Sequence, residues 1–186
     1  MLDMVAKLLL HKQLKFELGK ITLLEQRVAM LPLFNVVELQ KELERKGLEN
    51  TLYYTNKKFG REWTSKIYKS FKMNENQIFE WGINSVSLAG WGKVELAEKN
   101  LEKNNIKFRL IDSGMSYYYG KTEKPVDHIF RGMIAGAMSA VYGKDLDAVE
   151  TKCKAQGNPI CEFVVQPKEM FENSDIAKKQ LKEQKT

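Results

Sequence analysis

The two cysteines of the chain, Cys153 and Cys161, stand at equal distances on either side of Gly157. Val149 to Val165 reads as a hairpin turning at Gly157-Asn158-Pro159. In a symmetric hairpin turning at Gly157 the two thiols oppose each other, and directly opposed side chains have Cβ atoms about 4.5–5.5 Å apart. That separation suits two ligands of one tetrahedral zinc, whose Zn–S bonds are about 2.3 Å. A bulge from Pro159 would shift the register. Glu150 precedes Cys153 by three residues. In a flat strand this spacing sends the two side chains to opposite faces, so sharing one ion requires a bulge or a strong twist. Spacing alone leaves other readings open: two buried core cysteines, a disulfide, which a reducing compartment disfavours, or a Glu150 that is merely solvated.

Upstream of the hairpin, Asp127 to Tyr142 carries the strongest helical pattern in the chain, with Gly143 as its stop and Asp127 placed to cap its start. Gly132, Gly136 and Ala140 recur on one face, where small residues admit another backbone or a ligand. Glycine inside a helix costs up to ~1 kcal/mol relative to alanine, so the pair implies a compensating contact. Asp127 is also an oxygen donor that could serve a metal, and His128 beside it is an imidazole candidate.

Elsewhere the pattern mixes short strands and helices. Leu14 to Leu24 reads as an extended pair turning at Gly19-Lys20, and Phe34 to Lys46 as a helix ended by Gly47. Asn50 is placed to cap a helix running to about Phe71, and Asn74-Glu75-Asn76 opens a further helical segment toward Trp81. Val94–Leu96 and Ile106–Leu110 alternate as a hairpin turning at Lys103-Asn104-Asn105. Ser113 to Pro125 reads as a polar, aromatic loop. Antiparallel hairpins and grouped helices predict an α+β fold, an antiparallel sheet with helices packed on one side. Regular βαβ alternation and a glycine-rich phosphate loop are both missing; Gly90-Trp91-Gly92 lacks the rest of such a fingerprint.

Composition closes off several classes. With 43% hydrophobic residues the chain can build a core. It has no apolar run long enough to span a bilayer, and Met1–Leu10 lacks a signal-peptide cleavage pattern, so the expected compartment is the cytoplasm. The net charge of +6 is spread along the chain, and the lysines near its end read as a solvated terminus rather than a nucleic-acid site. The titratable residues supply no evident nucleophile–base pair.

The stretch Arg131-Gly132-Met133-Ile134-Ala135-Gly136, then Tyr142-Gly143, Glu150-Thr151-Lys152-Cys153, Gly157 and Cys161-Glu162-Phe163 resembles the C-terminal half of the 4-vinyl-reductase (4VR) domain family. That family is similar to the aromatic-sensing input domains of NtrC-type activators, and more distantly to small TRAPP vesicle-tethering subunits. The resemblance implies a ligand-binding 4VR-like domain over residues 14–167, between an N-terminal extension (1–13) and a C-terminal helix or tail (168–186). In the sensor members a zinc is held by Glu-x2-Cys-x7-Cys and one earlier cysteine. Glu150, Cys153 and Cys161 match that spacing, and Asp127 stands where the earlier cysteine is expected, with His128 as the rival fourth ligand. The resemblance therefore implies zinc as cofactor.

The family's ligand pocket lies between the helices and the sheet; Tyr54, Trp63, Trp81, Trp91, Phe108 and Tyr117 are the aromatic candidates for it here, and plain core packing explains each of them as well. The leading expectation is a non-catalytic module that binds a small apolar or aromatic molecule and acts as a homodimer on a signalling partner. Leu8–Leu10, Leu33, Phe34 and Val37 are candidates for the dimer surface. The alternatives are an enzyme or accessory factor of tetrapyrrole vinyl reduction, and a TRAPP-like protein-interaction subunit.

Overall fold

The computed structural model describes residues 14–23, 26–100 and 105–182, in two compact units divided between Pro32 and Leu33. Leu8–Leu10 of the expected dimer surface lie outside the described residues. The first unit carries an antiparallel meander of β1 (Leu14–Glu17), β2 (Lys20–Leu23) and β3 (Gln26–Val28), in the order β1-β2-β3. Phe16 opposes Ile21, and Gly19 takes the turn at φ +75°.

In the second unit, α1 (Leu33–Arg45) buries Val37 and Gln40 and leaves Phe34 and Leu39 exposed. Val37 is fully buried, so it belongs to the core and not to a free dimer surface. The next helix, α2 (Thr51–Phe71), buries Tyr53, Gly60, Thr64 and Ile67 along one stripe. Asn50 stands at its start but makes no side-chain cap; its amide is drawn instead to Lys182 and Arg131. Asn74 does cap α3 (Glu75–Leu88), through a reciprocal box with Gln77.

A second sheet has the order β4-β5-β7-β6, antiparallel throughout: β4 (Lys93–Asn100), β5 (Asn105–Ile111), β6 (Asp147–Lys152) and β7 (Cys161–Gln166). Ile106, Phe108 and Leu110 of β5 alternate inward and pair with the Val165, Phe163 and Cys161 positions of β7. The expected loop after β5 contains a helix, α4 (Gly114–Tyr119). Ser113 caps it by accepting from the Ser116 N–H. So short a helix is marginal alone, and its contacts with α1 and with the turn that follows β6 supply the support.

The glycine-bearing helix α5 (His128–Tyr142) crosses α2 at very close range. A Cβ on Gly136 would sit 1.9 Å from the Lys57 carbonyl, and one on Gly132 would sit 2.3 Å from the Tyr53 carbonyl. The missing side chains therefore let two backbones touch, which offsets the conformational cost of glycine in a helix. On its other side α5 packs against β6 and β7. This sandwich fixes the start of α5 beside the end of the β6–β7 hairpin. A last short helix, α6 (Asp175–Gln180), packs against β6.

Candidate metal centre

Ligand atoms of Asp127, Glu150, Cys153 and Cys161 all lie within 4.8 Å of one another, and all four residues are buried. Each is positioned by a different local device. The β6–β7 register shifts between Glu150 and Lys152, after which Lys152 opposes Glu162. The irregularity lies at Thr151 rather than at Pro159, and it turns Glu150 and Cys153 toward one point. Beyond Cys153 the chain makes a short 3-10 turn (Lys154–Gln156), and Gly157 closes it at φ +94°. Inside this turn the Lys154 N–H donates to Cys161 Sγ at 3.2 Å, and both the Asn158 N–H and its side-chain Nδ2 donate to the Cys153 carbonyl. A backbone N–H aimed at sulfur favours the thiolate form.

Asp127 occupies the N-cap of α5 without making the side-chain cap bond expected from its position. Its carboxylate instead accepts from Ser113 Oγ (2.6 Å), Ser116 Oγ (3.2 Å) and Cys161 Sγ (3.1 Å). The Asp127 N–H donates to Glu150 Oε2 at 3.0 Å, while Glu150 Oε1 is buried with no protein partner. The Ser116 hydroxyl also lies 3.6 Å and 3.5 Å from the two sulfurs.

The electrostatics match a cluster built for a cation. Burial raises the Asp127 carboxyl, against the hydrogen bonds it accepts. Burial, and then the neighbouring Asp127 and Cys153, holds Glu150 well above the usual carboxylate range. The contact between the two thiols draws Cys153 down to about 6 and, with burial, pushes Cys161 up. Four acidic groups thus share a volume that cannot hold them all as anions unless positive charge is supplied. The orphaned Glu150 Oε1 and two thiols in reach of one point fit a divalent ion that accepts sulfur and oxygen together.

His128 stands apart from this cluster. Its ring is buried with both nitrogens unpartnered, and Nε2 lies 3.8 Å from Glu44 Oε1. Burial, and then the charges of Arg131 and Lys124, lowers its pKa to about 3, so the ring is neutral and the Glu44 contact is not an ion pair. Glu44 is satisfied instead by Tyr119 Oη (2.5 Å) and Lys124 Nζ (2.8 Å).

The aromatic candidates are dispersed. Phe108 is buried and stacks on Phe79 of α3. Tyr54 meets Tyr53 edge-on and donates to the Leu181 carbonyl, and Trp63 leans on Phe59. Trp81 and Trp91 are half-buried. Tyr117 is 72% exposed against Tyr118, so it faces solvent rather than a closed interior. Sequence gives Ser113, Ser116 and Gln180 no place at the site, because they reach it through contacts that no local spacing encodes.

Residues 109–167 match the family model of the vinyl-4-reductase (4VR) domain. Two uncharacterized proteins of Methanocaldococcus jannaschii are each 27% identical, one over 74% of this chain and 76% of its own length, the other over 73% and 74%. Among solved structures, the phenol-responsive sensory domain of the transcription activator PoxR, with phenol, matches with a TM-score of 0.75 at 22% identity, over 97% of this chain and 95% of that one. A vinyl-4-reductase family protein from Methanocaldococcus jannaschii matches at 0.54 and 24% identity, covering 76% and 83%. A trafficking protein particle complex subunit 3 from Naegleria fowleri, covalently bound to palmitic acid, matches at 0.50 and 14% identity, covering 72% and 93%. By its match at residues 109–167 and by its fold, the chain resembles the 4VR domain family.

Proposed function

We propose that this chain is a non-catalytic sensor module that takes up a small apolar or aromatic molecule, with a structural zinc bracing the domain. The observation that carries the reading is the closure of Asp127, Glu150, Cys153 and Cys161 within 4.8 Å, all buried. Zinc there would supply the positive charge the four donors lack and would tie the start of α5 to the β6–β7 hairpin. Four protein ligands leave no open position for water or substrate, which suits a structural rather than a hydrolytic role. The likeness of fold to a phenol-responsive sensory domain supports the small-molecule part.

The module is proposed to be cytoplasmic and to act as a homodimer on a signalling partner. Among the described residues no helix is long and apolar enough to cross a membrane. Exposed Phe34 and Leu39 on α1 support the dimer, and sedimentation giving the 21.5 kDa monomer mass at micromolar concentration would sink it. Native mass spectrometry of the purified chain tests the ligand, with phenol and a panel of small aromatic compounds added in turn. A stoichiometric, saturable aromatic adduct is the expected result. A retained flavin with turnover of a vinyl tetrapyrrole would overturn the sensor reading in favour of an enzyme, and a retained acyl chain would overturn it in favour of a tethering subunit.

A further inference from the structure

Glu150 is gripped from the side opposite the metal cluster. Among the described residues β6 is an edge strand, so some of its peptide groups have no strand neighbour. The side-chain amide of Gln180, at the end of α6, fills that place. Its Nε2 donates to the Glu150 carbonyl at 2.8 Å, and its Oε1 accepts from the Glu150 N–H at 3.0 Å. The amide thus mimics one rung of an additional strand, at the one residue of β6 that belongs to the metal cluster.

Gln180 is itself locked in place. Three successive carbonyls at the end of α6, of the kind a helix leaves unsatisfied, accept from side chains of the core. Arg131 Nη1 donates to Gln180 O (2.8 Å), Tyr54 Oη to Leu181 O (2.8 Å) and Asn50 Nδ2 to Lys182 O (3.0 Å). Arg131 is fully buried on α5, lies 3.9 Å over the Tyr53 ring, and also reaches the Ala148 carbonyl and Asn50 Oδ1. Residues 180–182 are therefore fastened to α2 and α5. Through Gln180 they fix the peptide of Glu150, while the Asp127 N–H fixes Oε2 and leaves Oε1 as the free donor.

We propose that Gln180 is a positioning residue for the metal ligand Glu150, so that docking of α6 and occupation of the metal site strengthen each other. The inference rests on the metal-site reading above. Coupling of this kind is reciprocal: what α6 adds to metal affinity, the metal must add to α6 docking.

The test uses the full chain. Gln180→Met keeps side-chain length and removes both amide bonds. Zinc affinity is read by competition with a chromophoric chelator, and ligand geometry by the visible absorption of the cobalt-loaded protein. Ser139→Ala serves as the comparison, because it strips the Leu146 N–H of its side-chain partner without touching Glu150 or Gln180. The expected result is zinc binding weakened about 10- to 100-fold in Gln180→Met, as for other residues that orient metal ligands, with altered cobalt bands. Ser139→Ala should lower the melting temperature and leave affinity and bands as in the wild type. Wild-type affinity and spectrum in Gln180→Met would overturn the inference, as would equal weakening in Ser139→Ala. Hydrogen exchange on the wild-type chain provides a second readout that needs no variant. Adding zinc should slow exchange of the 177–182 amides, and unchanged exchange there would contradict the coupling. A wild-type chain that binds no zinc would overturn the metal-site reading itself, and this inference with it.

Discussion

The β6–β7 hairpin and the aromatic residues around α2 and α3 are built on opposite plans. Around the hairpin, four chemically distinctive side chains from two short stretches converge within 4.8 Å. Around α2 and α3, large rings are shared out among several elements and exposures, from fully buried Tyr53 to half-exposed Phe59. The first region is specified by local geometry: a register shift at Thr151, a glycine-closed turn and the start of one helix. The second is specified by packing, where many arrangements of rings satisfy the same burial. A metal site is therefore readable from spacing, whereas a small-molecule pocket is not.

The sharpest way to break this comparison is to remove a ligand. Cys153→Ser should empty the site and leave buried acidic groups without a cation. Breaking a buried charge cluster costs about 3–5 kcal/mol. At roughly 2–4 °C per kcal/mol for a domain of this size, the melting temperature should fall by about 6–20 °C. A shift under about 2 °C in calorimetry, less than 1 kcal/mol on that scale, would show that the hairpin stands without metal.

In the other region, Phe108→Ala should cost about 3–5 kcal/mol by deleting a ring between β5 and α3, with zinc content unchanged. Between the regions, Gly136→Ala should cost about 1–3 kcal/mol as an overpacked contact, because the new methyl meets the Lys57 backbone rather than a flexible side chain. Tyr117→Ala should move stability by no more than about 0.5 kcal/mol, because its ring is mostly in water. If Phe108→Ala and Tyr117→Ala have equal effects in chemical denaturation, the distinction between core and surface rings fails.

Acid gives a finer test. The folded-state pKa of Glu150 is raised by burial. In the metal-free chain its contribution to stability is therefore full below its unfolded pKa and is lost as pH rises through the raised folded value. Metal binding runs the other way, because the ligands must shed protons. The difference in melting temperature between zinc-loaded and metal-free protein should accordingly shrink as pH falls from about 7 to about 5. A difference that grows on acidification would contradict the assignment of Glu150 as a ligand.

Much of the fold is legible in the sequence because its signals are periodic. β5 and β7 alternate cleanly, α5 ends at a glycine in the left-handed conformation, and the Gly132/Gly136 face does meet another backbone. Signals carrying two meanings are harder to read. Asn50 and Asp127 both look like helix caps, and both turn their side chains to distant partners. Helix α4 is hidden because its sequence is polar and aromatic without a helical period, and contacts with α1 support it. Gln180 gives no sign at all, and Arg131 stands out only as part of the stretch that carries the family resemblance. Their roles arise from hydrogen bonds between residues far apart in sequence, which only the folded chain brings together.

Elemental analysis of the wild-type chain, purified under reducing conditions without added metal or chelator, is the most direct test of the central claim. The account predicts about one zinc per chain, since a structural site survives purification nearly full, and loss of that zinc in Cys153→Ser. Zinc far below stoichiometric, together with a Cys153–Cys161 disulfide or two thiols that react freely with a thiol reagent, would contradict it.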